Sequence, residues 1–261
     1  MMKLSIITVN YNNREGLRRT AKSIAEQSFN DFEWLVIDGG STDGSQDVMA
    51  QYASWITWSV SEPDGGIYEA MNKGLTRANG EFVQFLNSGD SFIDRSVLSK
   101  VFSDRCLADV NYGDQWCTRG EKIIEKRTYP DTMDLRFLFR APLGHQASFI
   151  RASFAVAHPY RVKYTISADR AFFLELYLSG ASFHYLSLPV VYFDTNGVGS
   201  NDSTRESRRI QLQKIKRELL PKPAVDDIES LMMKADEYDF VMRVPPLRWV
   251  YNLFKWLQRI K

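Results

Sequence analysis

Four short apolar runs are spaced along the first ninety residues, with helical patterns between them. They are Leu4 to Val9, Trp34 to Ile37, the weaker Ile56 to Val60, and Phe82 to Leu86. Near-continuous apolar strands of this length suit a parallel sheet covered on both faces. The intervening stretches at 14–28, 43–53 and 66–79 have helical spacing, so the pattern predicts right-handed βαβ units in a doubly wound α/β sheet of mostly parallel strands. Three of the four runs stop at clusters of Asp, Asn, Gly, Ser or Thr. Ligands of open α/β sheets bind beyond the carboxyl ends of the strands, so a nucleotide is expected there.

Downstream, 108–117, 121–128, Gln146 to Ile150 and Val190 to Phe193 read as further strands. Residues 167–180 read as a helix that Ser167 could cap and Gly180 ends. After residue 202 the sequence turns charged and helical. A basic stretch from Arg205 to Arg217 leads to an acidic helix near 225–239, and Leu247 to Lys261 forms an amphipathic segment. The expected division is therefore a catalytic-type α/β domain over 1–202 and a helical extension over 203–261. The terminal segment puts Leu247, Val250, Tyr251, Phe254, Leu257 and Ile260 on one face, which suits either peripheral membrane contact through 246–261 or packing on the protein itself.

Charge excludes one class of partner. Lys and Arg total 33 against 32 Asp and Glu, so no global positive field points to nucleic acid. The chain has no run of about 20 apolar residues, the length of a membrane-crossing helix. Cys106 and Cys117 form no disulfide framework and have no zinc-site spacing, which fits a reducing, cytoplasmic compartment.

Candidate chemistry sits at the strand ends. Asp38-Gly39-Gly40-Ser41 is a glycine-rich turn where a carboxylate could meet a base or ribose, and it serves equally as an Asx-capped turn. It is neither a Walker A loop nor a dinucleotide fingerprint. Asn87-Ser88-Gly89-Asp90 could hold Mg²⁺ or Mn²⁺ with a diphosphate, since Mg²⁺ takes one or two carboxylates plus phosphate oxygens; it is also a good turn sequence. Asp169 falls in the first turn of its helix, where the macrodipole favours a carboxylate whatever its role. His145, flanked by Gly144, is the histidine in the polar setting, whereas His158 and His184 read as structural.

Taken in order and register, "SIITVNYN", "EWLVIDGGSTDGS", "SEPDGGIYEAMNKGLTRANGEFVQFLNSGD" and "GHQASFIR" resemble the family-2 glycosyltransferases of GT-A fold, with the closest likeness to bacterial enzymes of colanic-acid-type exopolysaccharide and O-antigen synthesis. The likeness is strong over residues 3–95 and patchier to about 200. It implies that Thr8, Asn10, Tyr11 and Asp38 surround the base and ribose. Asp64, Asn72 and Lys73 would complete the donor pocket, with Ser88 and Gly89 beside it and His145 on the acceptor or phosphate side. Asp90 matches the last residue of the metal-binding DxD motif, and Asp169 the catalytic base. Ser88 replaces the first DxD carboxylate, and the QxxRW motif of processive synthases is absent.

The implied activity is a metal-dependent, inverting hexosyl transfer. One sugar would move from a nucleotide-sugar donor, UDP-sugar favoured, to a saccharide acceptor on polyprenyl diphosphate. The enzyme would be cytoplasmic and peripheral on the inner face of the bacterial membrane. The alternative is a non-catalytic nucleotide-sugar-binding partner in a polysaccharide assembly complex; a nucleotidyltransferase is disfavoured because residues 12–16 make a poor phosphate loop.

Overall fold

The computed structural model of the chain describes residues 2–103, 107–196, 204–243, 245 and 247–249. The first seven elements alternate as the apolar spacing requires: β1 (Leu4–Asn10), α1 (Arg14–Ala25), β2 (Phe32–Asp38), α2 (Ser45–Gln51), β3 (Trp58–Ser61), α3 (Ile67–Leu75) and β4 (Phe82–Phe85). The four strands lie in the order β3-β2-β1-β4, all parallel. Alternation along β1 sends Ile6 into a cluster with Leu17, Ala21 and Ile24 of α1 and with Trp34. Ile7 points the opposite way, towards α3. There Gly74 has no room for a side chain: a Cβ would stand 2.5 Å from Ile7 and 2.8 Å from Ile37. That close approach seats α3 flush on the sheet, so both faces are covered.

The second half of the sheet is mixed. It comprises β5 (Ser91–Phe92), α4 (Val97–Ser103), β6 (Val110–Arg119), β7 (Lys122–Arg127), α5 (Leu135–Arg140), a 3-10 turn at His145–Ala147, β8 (Ser148–Arg151), α6 (Ala152–Ala157), α7 (Ala168–Leu178) and β9 (Phe183–Asp194). β8 runs antiparallel to both β4 and β6, β6 and β9 are parallel, and β5 and β7 add antiparallel to β9 and β6. The parallel pairs of the expected mostly parallel sheet are thus concentrated in its first half, with β6 and β9 adding one more. Strand β9 is much longer than the Val190 to Phe193 run. Its earlier part is hidden in sequence by Ser187, at φ 51°, and Pro189, where the register with β6 shifts. Ser167 occupies the N-cap of α7 without capping it through its side chain.

Two helices follow, α8 (Arg205–Leu219) and α9 (Lys222–Arg243). The chain divides into two compact units, residues 1–212 and 213–261, so the boundary falls inside α8. Within the second unit Lys216 Nζ pairs with Glu229 at 2.9 Å. Among the described residues no helix is long and apolar enough to cross a membrane. Of the proposed membrane segment 246–261, all but 247–249 lies outside the described residues, as does Cys106. Cys117 is a buried free thiol.

Candidate active site

Parallel register brings the strand ends together. Asn10 of β1 lies beside Asp38 of β2, and Asp38 beside Ser61 of β3. The Asp38 carboxylate accepts from Asn10 Nδ2 at 2.7 Å, from the Ser41 amide at 2.9 Å and hydroxyl, and from the Ser61 hydroxyl at 2.6 Å. Burial acts to raise its pKa, but these donors outweigh burial and hold the carboxyl below the ordinary aspartate value. Asp38 is therefore a saturated hub that fixes the glycine turn. Asn10 keeps one unspent atom, its buried Oδ1.

Around this hub Tyr11 lies 68% exposed. Its ring edge and the Asp64 carboxylate both come within about 3 Å of where a Gly39 side chain would start, at 3.2 and 3.1 Å. Tyr11, Gly39 and Asp64 thus form one open ledge, and Asp64 Oδ1 holds the Gly66 amide at 2.8 Å. Thr8 is not on this ledge. Two residues before Asn10 on the same face of β1, it is fully buried, and its hydroxyl accepts from Trp34 Nε1 at 2.9 Å. It supports the site from beneath. Asn72 is also committed elsewhere, because its amide donates to the Tyr160 carbonyl at 2.8 Å and accepts from the Tyr160 N–H at 2.9 Å. Lys73 pairs with Glu62 at 2.7 Å, which raises its pKa.

The Asn87–Asp90 turn is pinned by α1. Asn13 Nδ2 donates to the Ser88 carbonyl at 3.0 Å, and the Thr20 hydroxyl accepts from the Gly89 amide at 3.1 Å and donates to the Asp90 carbonyl at 2.6 Å. Gly89 sits at φ 106°, a conformation that favours glycine. Asp90 is only 4% exposed, and burial pushes its carboxyl up to about 8. The Asp194 carboxylate adds to the rise, while the Asp194 amide, Gln146 and Arg19 pull the other way. Behind it runs a buried chain of amides and a phenol: Gln115 Nε2 donates to Gln146 at 2.9 Å, and the Tyr129 hydroxyl donates to Gln115 at 2.8 Å.

A wall of rings connects this turn to Asp169. His145 Nε2 lies 3.2 Å from Asn87 Nδ2, and burial holds the imidazole down at about 4, so it is neutral. Its ring meets Tyr160 edge-on at 6.4 Å; Tyr160 stacks on Tyr68 at 5.3 Å and on Phe172 at 4.6 Å. The Tyr68 hydroxyl donates to the Ile166 carbonyl at 2.9 Å and lies 3.5 Å from Asp169 Oδ1. Burial raises the Asp169 carboxyl, against the opposing pull of Arg170. The hydroxyl of Tyr160 and Nδ1 of His145 are buried without partners among the described residues. His158, by contrast, bonds the Phe154 carbonyl at 3.0 Å within its own helix. Two cavities of about 300 and 290 Å³ lie around Trp58 and Thr57, where β3 begins, away from all of these groups.

Several residues of this arrangement were not singled out in sequence: Arg19, Thr20, Ser61, Tyr68, Gln146, Tyr160 and Asp194. Asp194 carried the same signal as the others, a polar cluster closing an apolar run. Ser61 likewise ends β3, and the rest sit on helices or in loops whose partners are distant in the chain.

The profile of glycosyl transferase family 2 matches residues 5–105. An uncharacterized glycosyltransferase of Mycobacterium tuberculosis is 32% identical over 204 residues, covering 76% of this chain and 77% of the relative. A PGL/p-HBAD biosynthesis glycosyltransferase of Mycobacterium bovis is 31% identical over 209 residues, covering 76% and 78%. The crystal structure of S. aureus TarS 1-349 in complex with UDP superposes with a TM-score of 0.70 at 21% identity, over 89% of this chain and 71% of that one. That likeness carries the fold.

Proposed function

The chain belongs to the family-2 glycosyltransferases, and on that footing we propose that it is an inverting enzyme moving one hexosyl unit from a nucleotide-sugar to a saccharide acceptor. The observation that carries this reading is the Asp169 carboxyl, raised by burial and joined through one aromatic wall to the turn that carries Asp90. A raised carboxyl is a better proton acceptor near neutral pH than an ordinary aspartate. Asp169 takes the proton of the acceptor hydroxyl as its oxygen bonds the anomeric carbon, and the bond to the nucleoside diphosphate breaks on the other side. A single displacement of this kind inverts the centre, so an α-linked donor gives a β-linkage.

The open ledge of Tyr11, Gly39 and Asp64 suits the base and ribose, with the Asp38 hub holding it in shape. UDP is the favoured nucleotide, supported by the UDP complex of the S. aureus protein of like fold. The acceptor in this reading is lipid-borne, in surface-polysaccharide synthesis, as the motif likeness implies; the M. bovis relative is itself named for PGL/p-HBAD biosynthesis. The oxygen donors at the turn, the Asp90 carboxylate and the buried, unpartnered Asn87 Oδ1, fit Mg²⁺ or Mn²⁺. When bound, such an ion would draw charge from the departing diphosphate.

Thermal stabilisation by UDP, GDP and dTDP, each with Mn²⁺, Mg²⁺ or EDTA, tests the reading. A ligand at a hundredfold its Kd stabilises by about 2.7 kcal/mol. One nucleotide with a divalent ion is expected to stand out, and Asp90→Asn to abolish the metal-dependent part. No shift with any nucleotide would overturn the donor site and put the binding-partner reading first.

A further inference from the structure

The turn that carries Asp90 has Ser88 two residues earlier, so it brings a single carboxylate of its own to a cation. A second carboxylate reaches it from a different strand. β5 and β9 pair antiparallel with Ser91 opposite Tyr192, which carries the end of β9 alongside Asp90. The Asp194 N–H donates to Asp90 Oδ1 at 3.0 Å. Asp194 Oδ2 lies 3.4 Å from where a side chain on Gly89 would begin, over the middle of the Ser88-Gly89-Asp90 turn. From the outside Arg19 Nη2 pairs with Asp194 Oδ2 at 2.6 Å, and Asn196 donates to Oδ1 from its amide and side chain at 3.0 and 2.8 Å. The Asp194 side chain is 16% exposed, whereas Arg19 is 54% exposed on a long arm.

We propose that Asp194 supplies the second carboxylate for the divalent cation, which sits between the ends of the Asn87–Asp90 turn and β9, in competition with Arg19 for Oδ2 of that ligand. The donor set is then two carboxylates plus phosphate oxygens, the hard-oxygen complement that Mg²⁺ and Mn²⁺ take. The carboxylate missing from position 88 is replaced in space, not in sequence. This rests on the proposed donor site, and the test separates the two.

Mn²⁺ binding to the full chain is followed by the EPR signal of the free ion, with saturating UDP. Asp194→Asn is expected to weaken Mn²⁺ binding about tenfold or more, because affinity follows the charge count of the ligands. UDP binding in EDTA stays at the wild-type level. Arg19→Ala, which leaves both carboxylates in place, is expected to bind Mn²⁺ at least as tightly as wild type. If Asp194→Asn binds Mn²⁺ normally while Asp90→Asn does not, the role of Asp194 is overturned and the donor site stands. If Arg19→Ala loses as much affinity as Asp194→Asn, the ion pair and not the ligand matters, and the inference fails. If Asp90→Asn also binds Mn²⁺ normally, the metal reading of the turn fails with it.

Discussion

Asp38 ends strand β2 and Asp169 lies in the first turn of α7, and their environments push the two carboxyls in opposite directions. Asp38 sits among Asn10, Ser41 and Ser61, and its charge is shared among donors that the parallel register delivers. Asp169 sits against Tyr68 and Tyr160 with far less hydrogen-bonding support, and burial raises it. At the Asp38 end only Asn10 Oδ1 is left over; the Asp169 end holds the Tyr160 hydroxyl and His145 Nδ1, both buried without a partner among the described residues. On the proposed function, one end carries stability and the other chemistry, a division expected where buried polar groups are left in tension at a functional site.

The largest effect should come from Asp169→Asn. A general base contributes roughly 10²–10⁴-fold, so transfer should fall by that much in a donor-consumption assay while the melting temperature holds or rises. In the wild type the rate should drop as pH falls through a value above the ordinary aspartate range, because a raised carboxyl loses its charge earlier on acidification. An unchanged rate in the variant would break the contrast at its reactive end.

Asp38→Ala reverses the pattern. It strands the Asn10 amide, the Ser41 N–H and the Ser61 hydroxyl, and unsatisfied buried groups cost about 1–3 kcal/mol each. Denaturant unfolding should register a loss of roughly 3 kcal/mol or more. A variant as stable as the wild type would mean that the hub is not what holds the nucleotide end together.

His145 sharpens the comparison through pH. Its folded pKa of about 4 lies below the ordinary 6.5, so the unfolded chain takes up the proton first. Its contribution is complete above 6.5 and is lost as pH falls towards 4, at most about 3 kcal/mol. Between pH 7 and 4, His145→Phe should therefore lose stability less steeply than the wild type in matched denaturant titrations.

The N-terminal βαβ units could be read from apolar spacing because each strand is short, buried on both faces and closed by turn residues. The positions of Asn10, Asp38 and Asp90 followed from that spacing. Side-chain direction did not. Thr8 looks like a strand-end polar residue, but β1 turns it towards Trp34. Asn72 belongs to a motif that implies ligand binding, yet both ends of its amide are taken by the Tyr160 backbone. Gly74, in the same motif, is explained by the space Ile7 and Ile37 leave it. The reacting end was harder to foresee, since Tyr68, Tyr160 and Asp169 meet only through tertiary packing across some hundred residues.

The Asn72 amide deserves a mechanical reading. By presenting a donor and an acceptor to the backbone N–H and C=O of one residue, Tyr160, it imitates a neighbouring antiparallel strand and rivets α3 to the segment before α7. The helix that follows the Asp64 ledge is thereby coupled to the frame that carries Asp169. Movement of one against the other must break two hydrogen bonds together, so the spacing between them is set when the chain folds. On the proposed function, loosening that rivet should alter which acceptors fit before it alters how the donor is held.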